Sequence, residues 1–542
     1  MKRMKCFFIM LLVTPISGAW ADDYPRNPQI DVLHYVFELA LNDENNVITG
    51  RTSIQVRFHE GGVSRFELDL IGGEFGPSGT GMTIESIQCE GQSLEFTHDK
   101  NRISLNLLSK TKVNESRTYV IEYSGIPADG LIISKNKHDE RTFFGDNFPD
   151  RARHWLPTLD HPSDKATCEF IITVPNHYQT IASGLLIEET DLPGNLRLTH
   201  WEQIIPLSTY LMVIGVAHFA IQQVGEHNGA AIQTWVYAQD RDDGFHDFAR
   251  AGRVMEFFED YIGPYPYRKL ANVQSKTRYG GMENAGNIFY SERFVDGDRS
   301  VENTMTHEIV HQWFGDSVTT DDWNHVWLSE GFATYLTHVF NEATFGRPRM
   351  VEGLLRDRTR VIEYQSRHPD LAIVDPAIPI TGILSTNTYQ KAGWVLHMLR
   401  REIGDEQFQD VIQEYYFRFR DDNTLTEDFQ SVVEELTGRD FELFFRQWFY
   451  HPGVPSLKGD WSYDEWAKEL TISIRQVQDG NLLYNLPLDI GVIDREGTVS
   501  QLETVRIETQ EHAFVFKVDR EPAEVKLDPN TWLLMQAEFK QR

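Results

Sequence analysis

The sequence predicts a multidomain α+β protein, and the spacing of its apolar residues supports this prediction. Apolar and polar residues nearly alternate up to residue 222, recur with a helical period over 223–451, and alternate again over 452–542. A chain of 542 residues is also too long for one hydrophobic core. We therefore expect an N-terminal antiparallel β-sheet domain over 22–222, a mostly helical domain over 223–451 and a small C-terminal β-sandwich.

The first 21 residues have the pattern of an export signal. Three of the first five are basic, an apolar run follows to Ile16, and Ala19-Trp20-Ala21 fits the small-x-small pattern of a cleavage site. A membrane anchor would need a longer apolar span. We expect cleavage before Asp22 and a mature protein that is periplasmic or secreted.

The charge and the cysteines of the chain limit its possible partners and cross-links. It has 81 acidic and 51 basic residues, a formal charge of −30 at pH 7. Such a protein repels nucleic acids and anionic membranes, so neither is an expected partner. After signal removal only Cys89 and Cys168 remain. An exported protein either pairs them or keeps two lone, partly buried thiols, and both interpretations stay open.

Short alternating runs bounded by Asn, Asp and Gly predict the strands of the N-terminal domain, most clearly at 35–41 and 52–58. The glycine-rich stretch 72–81 lacks the following helix of a phosphate-binding loop, so we interpret it as a turn. The apolar stretch 204–221 is interrupted by proline and polar residues. It predicts core strands rather than a membrane span.

The middle domain begins with predicted strands at 272–274 and 286–290. Between them lies Tyr279-Gly280-Gly281-Met282-Glu283-Asn284. Helices are predicted at 247–261, 303–315, 327–345, 349–364, 389–403, 406–419, 427–437 and 441–450.

The helix predicted at 303–315 contains the pattern H-E-x-x-H. Asn303 or Thr304 can cap its N-terminus and Gly315 can end it. Its two histidines are four residues apart and therefore lie on one face. Two imidazoles so placed can bind one metal ion, and the glutamate between them can reach a water on that metal.

The metal ligands predicted from this pattern are His307, His311 and Glu330. Glu330 lies in the first turns of a second helix predicted at 327–345, with Gly346 as its stop. Two histidines and one glutamate leave the fourth position of Zn²⁺ open for water, as a catalytic site requires. We expect one Zn²⁺ per chain; two core histidines without a metal are the alternative.

Several segments together resemble the gluzincin zinc aminopeptidases, the family of aminopeptidase N and the leukotriene hydrolase. The segments are Gly280-Gly281-Met282-Glu283-Asn284, His307-Glu308-x-x-His311, Glu330 and Tyr389-Gln390-Lys391-Ala392-Gly393. Residues 152–157 and 160–166 resemble the sheet-domain signature of that family. The resemblance implies a saddle-like N-terminal sheet domain and a thermolysin-like catalytic domain. We expect a short form that lacks the family's large helical C-terminal domain.

The resemblance also implies a role for each site residue. Glu308 would be the general base, and Tyr389 would donate a hydrogen bond to the oxyanion. Glu283 would pair with the free α-ammonium of a peptide, so the expected activity is aminopeptidase action on peptides with a free N-terminus. The other implied substrate-binding residues are Gly280, Gly281, Met282, Asn284 and Tyr279, with Tyr279 lining the pocket for the first side chain.

Departures from the family pattern leave alternatives open. Phe148 stands where many relatives have a second acid or amide for the amine anchor, so Asp146, Asn147 or no residue completes it. Asp316 and His325 stand where relatives commonly have Asn and Asp. A thermolysin-like endopeptidase and a binding protein on a degenerate peptidase fold are the competing functions. The sequence carries no signal for an oligomeric state.

Overall fold

The computed structural model describes residues 22, 24–74, 76, 77, 79–99, 101–479 and 482–542. The predicted signal peptide lies outside the described residues. The described chain has a β-rich N-terminal region, a mixed region with most of the helices and a strand-rich C-terminal region. The predicted multidomain α+β class is therefore confirmed.

An eight-stranded sheet forms the body of the N-terminal region. It is antiparallel, as expected, except that Ile30–Ala40 pairs in parallel with Lys165–Pro175. Buried residues alternate with exposed ones along the long strands, because successive side chains point to opposite faces. In spatial order the strands are Leu185–Leu192, Leu196–Ser208, Lys165–Pro175, Ile30–Ala40, Ile48–Phe58, Glu115–Ile126, Gly81–Cys89 and Gln92–Ser93.

Two smaller sheets complete this region. One contains Arg65–Asp69, Arg102–Asn106 and Phe96–Asp99, and the other contains Gln179–Ala182, Ile214–Ala217, Arg141–Gly145 and Leu131–Lys135. Cys89 and Cys168 lie buried in separate strands of the large sheet. Within the described chain both are free thiols.

A five-stranded mixed sheet begins the middle region. In spatial order its strands are Phe219–His227, Ala230–Tyr237, Lys269–Ser275, Asn287–Ser291 and Gly281–Met282. The domain boundary predicted at residue 222 falls inside the first of these strands. Gly281–Met282 lies at the edge of the sheet, paired on one side only among the named strands. A separate pair of short strands joins Thr319–Thr320 to Asn423–Thr424.

Nine α-helices lie in the described part of the middle region. They are Arg241–Asp247, Ala251–Tyr261, Glu302–His311, Trp327–Phe345, Arg347–Arg367, Ala392–Ile403, Asp405–Phe419, Thr426–Thr437 and Glu442–Phe449. The predicted helix 327–345 has the expected bounds, and Gly346 follows it with φ of 86°. The helix predicted at 389–403 instead starts with a π-helical turn, Asn387–Lys391, before Ala392–Ile403.

The helix predicted at 303–315 is shorter than expected. It runs from Glu302 to His311, neither Asn303 nor Thr304 is its N-cap, and Gly315 lies past its end. Contacts to the N-terminal region hold the chain in a different path there. The Tyr210 hydroxyl donates to the Gly315 carbonyl oxygen at 2.9 Å, and Lys165 Nζ donates to the carbonyl oxygens of the two following residues.

The C-terminal region contains two sheets. The first has Glu511–Lys517, Glu469–Gln476, Ser456–Asp464 and Gln536–Gln541, and the second has Val499–Ile507, Leu486–Ile493 and Glu524–Leu527. These strands are consistent with the expected β-sandwich, which stays a prediction. Within the described ranges, every helix is too short or too polar to cross a membrane.

Candidate active site

The three predicted metal ligands converge on one point. His307 Nε2 and His311 Nε2 are 3.1 Å apart, and Glu330 Oε2 lies 3.3 Å and 3.2 Å from them respectively. Ligand atoms bound at about 2.0–2.2 Å to a tetrahedral Zn²⁺ are separated by roughly 3.3 Å. The residues present therefore fit a zinc ion in both chemistry and spacing.

Neighbouring groups orient His311 for metal binding. Its Nδ1 lies 3.1 Å from the Phe314 carbonyl oxygen and 2.9 Å from Ser329 Oγ. A carbonyl oxygen can only accept, so Nδ1 carries the proton and leaves the lone pair of Nε2 for a metal. The sequence did not indicate either partner. The Phe314 partner is a backbone atom, and Ser329 lies in the first turn of a helix, where serine is common.

Glu308 occupies the space beside Gly281. A Cβ atom on Gly281 would overlap the Glu308 carboxylate, so the glycine leaves room for it. Burial raises the pKa of Glu308 well above its usual value, and the charges of Glu283 and Glu330 reinforce this effect against the opposing charge of His311. Such a carboxylate binds a proton more readily than an exposed one does.

Tyr389 lies directly against the predicted metal ligands. Its hydroxyl donates to Glu330 Oε1 at 2.6 Å, and its ring stacks on that of His307 with centroids 6.0 Å apart. Burial, together with the nearby Glu330 charge, holds the pKa of Tyr389 well above 10. The hydroxyl therefore stays protonated and remains a hydrogen-bond donor.

Glu283 is held in place through its backbone. Gln312 Nε2 donates to the Glu283 carbonyl oxygen at 2.6 Å, while Gln312 Oε1 accepts from the Gly286 N–H at 2.8 Å. Burial raises the pKa of the Glu283 carboxyl above its usual value, partly offset by the charge of His311. Gln312 was not among the predicted site residues; its place directly after His311 was the only sequence signal.

These groups open onto one cavity of about 220 Å³. Thr304 and Leu384 are lining residues that the sequence did not indicate. The complete lining is Phe148, Tyr279, Gly280, Gly281, Met282, Glu283, Thr304, His307, Glu308, His311, Glu330, Leu384 and Tyr389. Of the predicted site residues, only Asn284 is missing from this lining. Its side chain is fully buried, and neither of its polar atoms has a partner among the described residues.

The sheet region contributes an aromatic wall rather than a second polar anchor. Phe148 lines the cavity, and its ring makes edge contacts with Trp323 and Tyr279 at centroid distances of 5.0 Å and 6.1 Å. Asp146 is fully buried behind this wall, where Arg278 Nε donates to it at 2.9 Å. Asn147 bonds to the Met212 carbonyl oxygen and the Trp155 indole. In the described structure both candidates are thus engaged elsewhere.

The two other departures from the family pattern lie behind the site. Asp316 accepts from Gln312 Nε2 at 2.9 Å, so it supports the residue that holds Glu283. His325 Nδ1 lies 2.8 Å from Thr426 Oγ1, in contact with the helix Thr426–Thr437. Neither lines the cavity of the described residues.

Comparison with known protein families agrees with this geometry. The Peptidase M1 N-terminal domain matches residues 32–211, and the Peptidase family M1 domain matches residues 246–448. The chain belongs to peptidase family M1. The resemblance to the gluzincin aminopeptidases that was inferred from the sequence motifs is thereby confirmed.

Several curated M1 relatives are aminopeptidases. Aminopeptidase M1-B of Oryza sativa subsp. japonica is 29% identical over 56% of this chain and 36% of its own length. The probable aminopeptidase 2 of Sulfurisphaera tokodaii is 26% identical over 77% of this chain and 55% of its own length. Aminopeptidase A of Gloydius brevicauda is 27% identical over 82% of this chain and 48% of its own length. This M1 chain thus spans about a third to a half of the length of these relatives.

A solved M1 structure shares the fold. The crystal structure of a mutant M1 zinc metallopeptidase from Deinococcus radiodurans superposes with a TM-score of 0.65 at 24% identity. The match covers 79% of this M1 chain and 96% of the other. It therefore extends well beyond the helices of the candidate site.

Proposed function

We propose that this M1 protein is a zinc-dependent aminopeptidase that removes N-terminal residues from peptides. The observation that supports it best is one cavity bordered by the three metal ligands, by Glu308 and Tyr389, and by the carboxylate of Glu283. An endopeptidase needs the metal ligands, Glu308 and Tyr389, but it has no use for a buried carboxylate such as Glu283 in the cavity lining.

His307, His311 and Glu330 would hold the zinc ion. When bound, zinc supplies Lewis acidity that lowers the pKa of water towards ~7 and polarises the scissile carbonyl. Glu308 accepts the proton of the attacking water and returns it to the departing amine. A carboxylate within reach of the attacking water can both take and give its proton.

Tyr389 stabilises the negative charge that develops on the carbonyl oxygen. Its protonated hydroxyl turns from Glu330 to the oxyanion and donates a hydrogen bond. Loss of one such donor typically lowers the rate ~10²–10³-fold.

Glu283 selects peptides that have a free N-terminus. A substrate α-ammonium neutralises this buried carboxylate, whereas an acetylated or internal peptide bond leaves it unpaired at a cost of several kcal/mol, roughly 3–5 for a broken buried pair. The apolar wall of Phe148, Tyr279 and Met282 favours an apolar first side chain. The rest of the peptide adds to the open edge of Gly281–Met282 as a further strand.

The deciding experiment compares free and N-acetylated forms of one peptide panel on wild type and Glu283→Ala. We expect wild type to trim only free peptides, and Glu283→Ala to lose most of that activity while it keeps zinc. Glu465→Ala, in an exposed turn of the C-terminal region, is the matched acidic control.

Two outcomes would contradict the proposal. Equal cleavage of acetylated peptides would indicate an endopeptidase that shares the same zinc chemistry. Zinc-loaded wild type that cleaves no peptide of the panel would favour a binding protein on a peptidase fold.

We propose that the protein acts outside the cytoplasm after cleavage before Asp22. The basic, apolar and small-x-small pattern of the first 21 residues supports this location. N-terminal sequencing of the protein from periplasmic and culture fractions should begin at Asp22. A mature chain that still begins at Met1 would contradict the proposal.

A further inference from the structure

The π-helical turn that carries Tyr389 is fastened at its first residue. Asn387 begins this turn and is fully buried. Its Nδ2 donates to the carbonyl oxygens of Leu371 and Ala372 at 3.0 Å and 2.9 Å. Its Oδ1 faces the other way, towards the helix Arg347–Arg367.

Gln365 of that helix connects the turn to the start of the C-terminal region. Its Nε2 donates to Asn387 Oδ1 at 2.7 Å, and its Oε1 accepts from the Gly453 N–H at 2.6 Å. Gln365 is only 5% exposed, so water competes little for either bond. One side chain thus joins the turn of Tyr389 to the segment 451–453.

The last residue of the turn contacts the same segment. Lys391 is fully buried, and its Nζ donates to the His451 carbonyl oxygen at 3.4 Å. Tyr484 of the C-terminal region in turn donates from its hydroxyl to the Pro452 carbonyl oxygen at 3.4 Å. Both ends of the Tyr389 turn are therefore connected to the segment 451–453, which leads into the C-terminal sheets. Asn387 is connected through Gln365, and Lys391 is connected directly.

This arrangement matters because π-helical turns are rare and are frequent at functional sites. Tyr389 sits in the middle of the turn, so a small change in the turn moves its hydroxyl. A displacement of about 1 Å at a catalytic group can reduce a rate by ~10²-fold.

We propose that Gln365 is a positioning residue for Tyr389, and that it couples the segment 451–453 to the hydroxyl that stabilises the oxyanion. The inference rests on the catalytic role proposed for Tyr389. Gln365 does not line the described cavity, and its contact with the Tyr389 turn is its bond to Asn387.

A double-mutant cycle tests this coupling. Gln365→Met, Tyr389→Phe and the double variant are assayed with a free peptide at saturating zinc. We expect Gln365→Met to lower kcat at least about tenfold while KM and zinc content stay within about twofold. Tyr389→Phe lowers kcat ~10²–10³-fold, and the double variant is no slower than Tyr389→Phe alone.

Gln274→Met is the matched control. Gln274 is also fully buried, accepts from the Tyr237 N–H at 2.8 Å and donates to Asp240 at 2.6 Å, with no bond to the Tyr389 turn. We expect Gln274→Met to lose about as much thermal stability as Gln365→Met but to keep the kcat of wild type. If Gln365→Met does not fold, Gln365→Glu keeps the acceptor for Gly453 and loses the donor to Asn387, and the same cycle applies.

The possible results separate this inference from the proposed function. If both single variants lower kcat and their effects multiply in the double variant, Gln365 does not act through Tyr389. An unchanged kcat in Gln365→Met overturns the inference alone. An unchanged kcat in Tyr389→Phe overturns the proposed role of Tyr389 and, with it, the inference.

Discussion

Gln312 links the helix of the predicted metal ligands His307 and His311 to the segment that holds Glu283. Its side chain is fully buried, with Nε2 donating to the Glu283 carbonyl oxygen and to Asp316. Its Oε1 accepts from the Gly286 N–H and from the Tyr265 hydroxyl at 3.2 Å. The amide therefore uses both of its polar atoms, and these bonds fix the distance between Glu283 and the predicted metal ligands.

We expect Gln312→Met to weaken the binding of free peptides more than it slows the chemistry. The variant leaves several buried polar groups unpaired, at about 1–3 kcal/mol each, and releases the backbone of Glu283. KM should rise about tenfold or more, and the ratio of rates on free and acetylated peptides should fall. Steady-state kinetics of Gln312→Met beside Gln274→Met check this, and equal KM values in the two variants would refute it.

At the scale of elements, the close packing of two helices brings Tyr389 to Glu330. Gly331 of Trp327–Phe345 faces Ala392 of Ala392–Ile403, and a Cβ atom on Gly331 would lie only 2.7 Å from that of Ala392. The absent side chain lets the two helices approach at this point. Glu330 comes directly before Gly331, and Tyr389 lies three residues before Ala392. The close approach of the two helices therefore brings the Tyr389 hydroxyl within 2.6 Å of the Glu330 carboxylate.

At the scale of the whole molecule, the C-terminal region docks on the helical region through His397. The buried ring of His397 stacks on Trp532 with centroids 4.7 Å apart. Its Nε2 donates to the Thr531 carbonyl oxygen at 3.0 Å, while its Nδ1 accepts from the Tyr335 hydroxyl at 3.0 Å. Both nitrogens are therefore used by the neutral ring. Burial, with the charge of Arg347 acting in the same direction, lowers the pKa of His397 well below 6.5.

This docking should make the protein less stable in mild acid. Above pH ~6.5 His397 is neutral in both the folded and the unfolded protein. Below this pH the unfolded chain binds a proton on His397 that the folded protein excludes. Stability should therefore fall by up to about 1.4 kcal/mol per pH unit between ~6.5 and the lower pKa of the folded state. Urea unfolding of wild type and His397→Gln at pH 7.5, 6.5 and 5.5 measures this contribution.

His397→Gln should be less stable than wild type at pH 7.5, but its unfolding midpoint should change less on acidification. His177→Gln, at a side chain that is 47% exposed, is the control for the loss of a histidine. Identical slopes in wild type and His397→Gln would show that His397 does not cause the acid sensitivity.

The α+β class, the M1 family and nearly all residues of the cavity lining could be predicted from sequence patterns. Local patterns carry this information, since the spacing of His307 and His311 puts them on one helix face and Glu330 begins a helix whose bounds follow from its own residues. Predictions from local patterns were wrong where contacts between distant residues determine the structure. The early end of the first metal helix depends on bonds from Tyr210 and Lys165, which are more than a hundred residues away.

The supports of the site come from contacts between distant parts of the chain, which sequence patterns do not reveal. Asp146 and Asn147 were both candidates for the amine anchor, and long-range partners such as Arg278 and Met212 engage them instead. Asn284 belongs to the family motif, but packing buries its side chain away from the cavity. Gln365 has no distinguishing sequence pattern, and Gln312 has only its place directly after His311. A side chain becomes a support only when the fold brings distant groups within hydrogen-bond reach.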